Sequence, residues 1–351
     1  MKEYIIGKND AGQRLDRFIA KAVPSLPSSL AQKYIRIKRV KVGGKGSKRD
    51  YKLAVGDAVQ MYINDEFFEA PGAGASMAEN AFLSAGAAYH NEGTAYPSAG
   101  AAHPSAGTAS LDVIYEDDNI MLVNKEAGVV CHSSGGFDHG SLISRVQAYL
   151  FQHGQWRPRE ENSFAPALCN RIDRNTSGIV IAAKNAETLR VVNEKIKSRE
   201  IDKYYLAAAI GAPDPPSGTL EGYIFKDSVK NQVYVTAGPR PGALFASTQY
   251  NTVAAAGGLS LVECLLITGR THQIRAQFAA AGLPLLGDGK YGSERLNKPY
   301  GERRQALCSY KLVFSFKTDA GILSYLRYRS FQLNNDDIGF VKKYFPSIDI
   351  S

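Results

Sequence analysis

The sequence predicts an α+β protein: a mixed, largely antiparallel sheet with peripheral helices, preceded by a small α/β domain. Three observations carry this expectation. After residue 110, short runs with apolar alternation recur between Gly- and Pro-containing turns, with only a few stretches at helical spacing among them. Strands that follow one another through short turns pair antiparallel, because parallel neighbours need a long crossover. Finally, residues 70–110 are compositionally foreign: 28 of these 41 residues are Ala, Gly, Ser or Pro, and none is Lys or Arg. They divide the chain into 1–69, a flexible tether over 70–110, and 111–351.

Composition sets outer bounds. The 44% hydrophobic content of the 351 residues suffices for a buried core. Apolar runs such as Leu259–Leu266 fall far short of the ~20 residues that span a bilayer. The opening "MKEYIIGKNDAGQR" carries no export signal, so a soluble, cytoplasmic protein is expected. Cys131, Cys169, Cys264 and Cys308 stand far apart beside apolar residues and read as reduced core thiols. No metal-ligand spacing is present, and His90 and His103 fall in the tether, where they are expected to be solvated. The net charge of +8 is uneven: residues 1–69 hold 14 basic against 8 acidic side chains, and 111–351 hold 28 against 24. A polyanionic partner gripped by the N-terminal segment is the reading this favours.

In that segment "QRLDRFIAKAV" sets Leu15, Phe18, Ile19 and Ala22 on one helical face, and Ser28 or Ser29 is placed to cap a second helix. "RVKVGGK" reads as a strand entering a Gly-Gly turn, and Val55–Ile63 as another strand. Nine basic residues lie between Lys33 and Lys52 against the single acid Asp50. Among them Lys33, Arg36, Arg39 and Lys41 are the candidate phosphate contacts. "RLDRFI", "IRIKRVKVGG" and "VGDAV" together resemble the alpha-L RNA-binding motif of a ribosomal small-subunit protein and of many RNA-modifying enzymes.

Beyond the tether, "NIMLVNKEAGVVCH" reads as strand, turn, strand, "GIVIAAK" as a strand, and "AETLRVVNEKIKSRE" as a helix with Leu189, Val192 and Ile196 inward. "KYYLAAAIG" and "SLVECLLITG" follow as strands. "THQIRAQFAAAG" reads as a helix capped by Thr271 and closed by Gly282, with late strands near "YKLVFSF" and "LSYLRYRSFQL".

The chemistry concentrates at "NRIDRNTSG". Asp173 stands between Arg171 and Arg174, with the hydroxyls of Thr176 and Ser177 close by, at the mouth of a buried strand. A lone Asp there is ordinarily a turn former; flanked by two cations and with no second acid to share a proton, it can instead serve as a nucleophile at a sugar carbon. Glycosidases pair two carboxylates, and here there is one. "TGRTHQIR" places Arg270 just outside a helix start, facing an anion that is either a substrate phosphate or Asp173. In "KYYLAA", Tyr204 and Tyr205 point to opposite faces of a strand, and alternation does not say which one faces a pocket.

"NRIDRNTSGIVIAAK", "KYYLAAAIG", "TGRTHQIRAQFAAAGLPLLGDGKYG" and "IMLVNKEAGVVCH" together resemble the RluA-type pseudouridine synthases, over nearly all of Leu111 to Leu333. The resemblance implies isomerisation of uridine to pseudouridine in RNA, ribosomal rather than transfer RNA, by a monomer without cofactor or metal. It places the catalytic aspartate on Asp173, the active-site tyrosine on Tyr205 and the aspartate's arginine partner on Arg270. Arg171, Ile172, Thr176 and Ile274 are expected around the substrate, the two isoleucines keeping water out. Asn170 departs from the His found in many members.

Overall fold

The structure is a computed structural model that describes residues 1–69, 111–132, 140–227, 229–230 and 232–350. The tether expected over 70–110, with His90 and His103, lies outside these residues. Among the described residues the chain divides into two compact units: one combines 1–69 and 111 with 132, 140–167 and 183–189, the other 112–131 with 168–182 and 190–350.

The first unit opens with β1 (Lys2–Ile5), α1 (Leu15–Ala22), α2 (Ser28–Arg36), β2 (Val40–Val42), β3 (Lys45–Gly46) and β4 (Ala58–Met61), whose strands form a sheet in the order β1-β4-β2-β3. Helix α1 forms because its apolar stripe has somewhere to go. Leu15, Phe18 and Ile19 are buried against Val40, Val59 and Met61, each such side chain contributing ~1.5–3 kcal/mol by leaving water. Strand β1 escapes the sequence reading because only Tyr4 of its four residues is buried, too little for a period of two to show. The start of α2 differs from expectation. Pro27 occupies the N-cap position, no side chain caps the helix, and Ser28 is already helical; the proline carbonyl accepts the first helical bond, from the Ala31 amide (2.9 Å). The Gly43–Gly44 turn joins β2 to β3 as anticipated, with Val42 opposite Lys45. In the same unit α3 (Leu142–Gln152) is capped by Ser141 and buries Leu142, Val146 and Leu150. Buried Asp10 accepts hydrogen bonds from Ser163 Oγ (2.6 Å) and Asn162 Nδ2 (2.7 Å), so segments from either side of residues 70–110 share this unit.

The second unit is built on a mixed sheet of eleven strands. In chain order its elements are β5 (Val113–Glu116), β6 (Ile120–Lys125), the two-residue β7 (Ala167–Leu168), β8 (Ser177–Ala183), α4 (Ala186–Lys197), β9 (Asp202–Ile210), β10 (Ser217–Asp227), β11 (Gln232–Thr236), β12 (Leu244–Ala256), β13 (Leu259–Leu266), α5 (Gln273–Ala280), β14 (Leu307–Val313), β15 (Ser330–Gln332) and α6 (Gly339–Tyr344). The order β11-β10-β12-β13-β9-β14-β8-β6-β5 is antiparallel along β11 to β14, and β14 meets β8 in parallel. The α+β class, with its largely antiparallel sheet, therefore stands. The long β10–β11–β12 meander was not resolved into strands from sequence. Conversely, residues 129–132, expected as a strand after β6, are irregular, because the buried Lys125 ammonium draws the carbonyls of Glu126 and Val129 (both 2.8 Å) around itself. The core gathers Ile179, Ile181, Leu206, Ala208, Leu261, Leu312 and Phe314. Cys131, Cys264 and Cys308 are buried free thiols and Cys169 is half-buried. Among the described residues no helix is long and apolar enough to cross a membrane.

One glycine fixes the geometry that matters next. Gly178 opens β8 at φ +113°, and a Cβ there would lie 2.2 Å from the Ser309 carbonyl oxygen of β14. Only glycine tolerates both that conformation and that approach. Ser309 is in register with Gly178 on one side and Tyr205 on the other, so the close approach brings the turn before β8 beside β9.

Candidate active site

The turn carrying Asp173 is closed by the Thr176 amide, which donates to the Asp173 carbonyl (3.1 Å). A second loop clamps it. Lys125 Nζ donates to the Arg174 carbonyl (3.0 Å), the Gly128 amide donates to the same oxygen (2.8 Å), and Arg174 Nε returns a bond to the Gly128 carbonyl (3.0 Å). Arg304 Nη1 ties down the Ala127 carbonyl of that loop (2.8 Å). Lys125 is 1% exposed, and burial lowers its ammonium to about 8, opposed by Cys131 and Asp173. Three carbonyl acceptors fill the ammonium's three donor positions, the arrangement a buried cation requires.

The Asp173 carboxylate is held by Arg275, not by Arg270. Arg275 Nη1 donates to Asp173 Oδ2 at 2.8 Å, while its Nε and Nη2 form a bidentate pair with the two oxygens of Asp288 (2.7 and 2.9 Å). Asp288 is wholly buried and also accepts from the backbone amides of Lys290 (2.9 Å) and Tyr291 (3.1 Å). Burial works against both charges, but Arg275 draws the Asp288 carboxyl below its usual range, and Asp288 followed by Asp173 raises the guanidinium. Arg270 instead donates its Nε to the Phe245 carbonyl (2.9 Å). The physical reason is position. Arg270 precedes the helix, whereas Arg275 is the third residue of α5, and the helix buries it at 7% exposure. Nor does Thr271 cap α5: His272 takes the N-cap position in the left-handed region (φ 52°), and the Gln273 side chain accepts the Arg270 amide (3.0 Å).

His272 completes the surround. Its Nε2 lies 3.9 Å from Asp173 Oδ2, and its Nδ1 meets the Tyr291 hydroxyl at 2.8 Å. That hydroxyl accepts the Val233 amide (3.0 Å), and the Arg275 guanidinium sits 5.1 Å from the Tyr291 ring centre. Burial holds the imidazole below its ordinary value, against the pull of Asp173. Between the folded and ordinary values the unfolded chain binds more protons, so this contribution to stability is complete above the ordinary imidazole value and is lost as pH falls through the folded one. Thermal melts between about pH 5 and about pH 7.5 should therefore drop more steeply for the wild type than for His272→Gln.

Of the two candidate tyrosines, Tyr205 is the buried one at 6% exposure. Burial pushes its phenol up, Ser309 opposes, and the Asp173 charge adds to the rise. Tyr204 faces Lys311 instead, whose Nζ stands 5.4 Å from its ring centre. Ile172 and Ile274 are buried and Arg171 is exposed. Thr176, expected to face substrate, is 2% exposed and bonded to Gln305 Nε2 (3.3 Å), which makes it part of the turn's packing. Asn170 Oδ1 accepts the Ile181 amide (2.8 Å), holding the chain before Asp173 to β8. In the first unit Lys33 and Arg36 lie exposed in the last turn of α2, with Arg39 over the Tyr34 ring (5.6 Å) and Lys41 over Tyr62 (5.2 Å). Among the described residues no group of three or more His, Cys, Asp or Glu side chains is placed to hold a metal.

A family model described as RNA pseudouridylate synthase matches residues 119–280. An uncharacterised RNA pseudouridine synthase of Mycoplasma genitalium is 30% identical over 317 residues, 89% of this chain and 88% of its own. The chain belongs to the RluA-type RNA pseudouridine synthases. This pseudouridine synthase is also 28% identical to the ribosomal large subunit pseudouridine synthase C of Vibrio cholerae over 294 residues, covering 83% of this chain and 81% of that one. Human RNA pseudouridylate synthase domain containing 1 shares the fold, with a TM-score of 0.50 at 19% identity over 69% of this chain and 98% of the human one. Asp173, Tyr205, Arg275 and His272 all fall inside the matched segment; Asp288 and Tyr291, in "GDGKYG", lie just beyond it. Lys125, Arg275, Asp288 and Tyr291 were all within quoted motifs yet had no role assigned from sequence.

Proposed function

We propose that this pseudouridine synthase modifies specific uridines of structured ribosomal RNA, with Asp173 as the catalytic carboxylate. The observation that supports this most is the chain Asp173–Arg275–Asp288, in which one carboxylate is aimed by a guanidinium that a second, fully buried carboxylate fixes. An oriented carboxylate of this kind can attack C1′ of the ribose or assist proton removal at C2′; either detaches uracil, which turns and rejoins through C5. Tyr205 stacks on the turned base and relays a proton, and Ile172 and Ile274 keep water from the detached intermediate. A uridine must leave its stack to reach such a site, at a cost of a few kcal/mol, so a loop or bulge is the substrate. Residues 1–69 act as an alpha-L RNA-binding domain that offsets this cost through phosphate contacts from Lys33, Arg36, Arg39 and Lys41. Residues 70–110 are the tether and 111–351 the catalytic domain. The protein works as a cytoplasmic monomer without metal or cofactor.

Mapping pseudouridines in ribosomal and transfer RNA from cells with and without the gene tests this reading. At least one large-subunit ribosomal position should revert to uridine in its absence. Reversion confined to transfer RNA would overturn the choice of substrate.

A further inference from the structure

The β10–β11–β12 meander has two faces with opposite character. Ile224, Val233 and Ala246 point to one side and pack with Ala276 of α5. The other side carries aromatic rings. Tyr223 stands opposite Phe245 on β12, and Phe225 opposite Tyr234 on β11; directly opposite residues of an antiparallel pair share a face, as do residues two apart. The four rings are therefore on one surface in two successive pairs. Tyr223 and Phe245 meet edge to face, 5.7 Å between centres, and the Arg240 guanidinium lies 4.2 Å from the centre of the Phe225 ring. Tyr234 is 39% and Phe245 41% exposed.

We propose that this face, with Tyr223, Phe225, Tyr234 and Phe245 as stacking surfaces and Arg240 and Arg270 as its cations, is a platform for unpaired bases of the RNA that flank the target uridine. The inference rests on the RNA-modifying reading above and assigns the substrate's flanking strand to it. Charge favours RNA as the occupant. The two acids on the same face are engaged within the protein: Glu221 accepts from Ser247 Oγ (3.2 Å), and Asp227 accepts the backbone amides of Val229 and Lys230 (both 3.0 Å). The guanidinium on Phe225 supplies a cation for a phosphate or a second stacking plane. Continuity with the candidate active site points the same way. Arg270 bonds the Phe245 carbonyl two residues before His272, and Tyr291 joins the Val233 amide of β11 to His272, whose other nitrogen faces Asp173. A base held on these rings is thus placed by a sheet fastened to the groups around the carboxylate. Unpaired bases are the ones that fit, because a duplex buries its π-faces within its own stack.

The test is the affinity of the full-length protein for two labelled stem-loop RNAs, one with single-stranded flanks and one with the same flanks paired, by fluorescence anisotropy at fixed salt. Combined Tyr234→Ala and Phe245→Ala substitution should weaken binding of the unpaired-flank RNA by about tenfold or more, with little change for the paired one. Arg240→Ala should weaken it in the same sense, and combined Tyr234→Phe and Phe245→Tyr substitution should retain wild-type affinity. Unchanged affinity of the alanine variant for both RNAs, or an equal loss on both, would overturn the platform and leave the face to a protein partner. Because this readout is binding, it stands apart from the parent reading: wild-type protein that isomerises no uridine refutes the enzyme assignment, whereas an active wild type with unaltered variants refutes the platform alone.

Discussion

Asp173→Asn should lower the release of tritium from C5-labelled uridine in substrate RNA by on the order of 10⁴-fold or more, the scale on which losing a nucleophile acts. The fold should survive. Asparagine keeps the size and one acceptor oxygen, so Arg275 Nη1 retains a partner, and the buried guanidinium keeps both bonds to Asp288. RNA binding should survive as well, since the contacts assigned to binding lie elsewhere. Asp173→Glu should fail nearly as badly, because an added methylene moves the oxygens farther than attack geometry tolerates. Release at the wild-type rate from Asp173→Asn would reduce the carboxylate to a turn former.

Arg275→Ala should be the most damaging change outside Asp173, and for two reasons that separate experimentally. It strands Asp288, which is wholly buried, without its cation; breaking a buried pair in this way costs about 3–5 kcal/mol, readable by urea denaturation. It also frees Asp173 from its anchor, and turnover of the protein that remains folded should fall on the order of 10²-fold or more. Arg275→Lys keeps the charge, but one ammonium cannot span two carboxylates as the planar fork does, so it should recover stability only in part. The contrast is Arg270→Ala. That residue gives Asp173 no hydrogen bond and spends its Nε on a backbone carbonyl, so its loss should leave stability within about 0.5 kcal/mol. Equal damage from both substitutions would mean that the pairing seen at Asp173 does not govern its chemistry.

Much of the catalytic constellation was legible because it is local. The acid between cations at the mouth of a buried strand, the glycine that follows, and the strand "KYYLAAAIG" are each set by neighbours in sequence, and the alternation and turn chemistry that reveal them act over a few residues. Even the failures are local in kind. β1 has too few buried residues to display its period, and Pro27 displaced the serine cap by ending the preceding turn one residue early. The loop after β6 looked like a strand because "GVVCH" carries β-branched residues; what bends it is a lysine whose ammonium collects carbonyls from 126, 129 and 174.

The sequence by itself therefore determined the α+β class, the carboxylate at position 173 and a choice between two tyrosines and between two arginines. Only the tertiary structure made those choices. "TGRTHQIR" offers Arg270 and Arg275 with equal chemistry, and which one meets Asp173 depends on where α5 begins and which side it turns toward β8. Asp288 reaches that helix from a loop thirteen residues later. Tyr205 was separated from Tyr204 by the packing of β9 against β14 and β13, which buries one ring and leaves the other half-exposed. The aromatic face of β10–β11–β12 exists only through strand register. These are long-range pairings, fixed when side chains distant in sequence are buried together, and no period of two or 3.6 residues encodes which distant partner a charge will find.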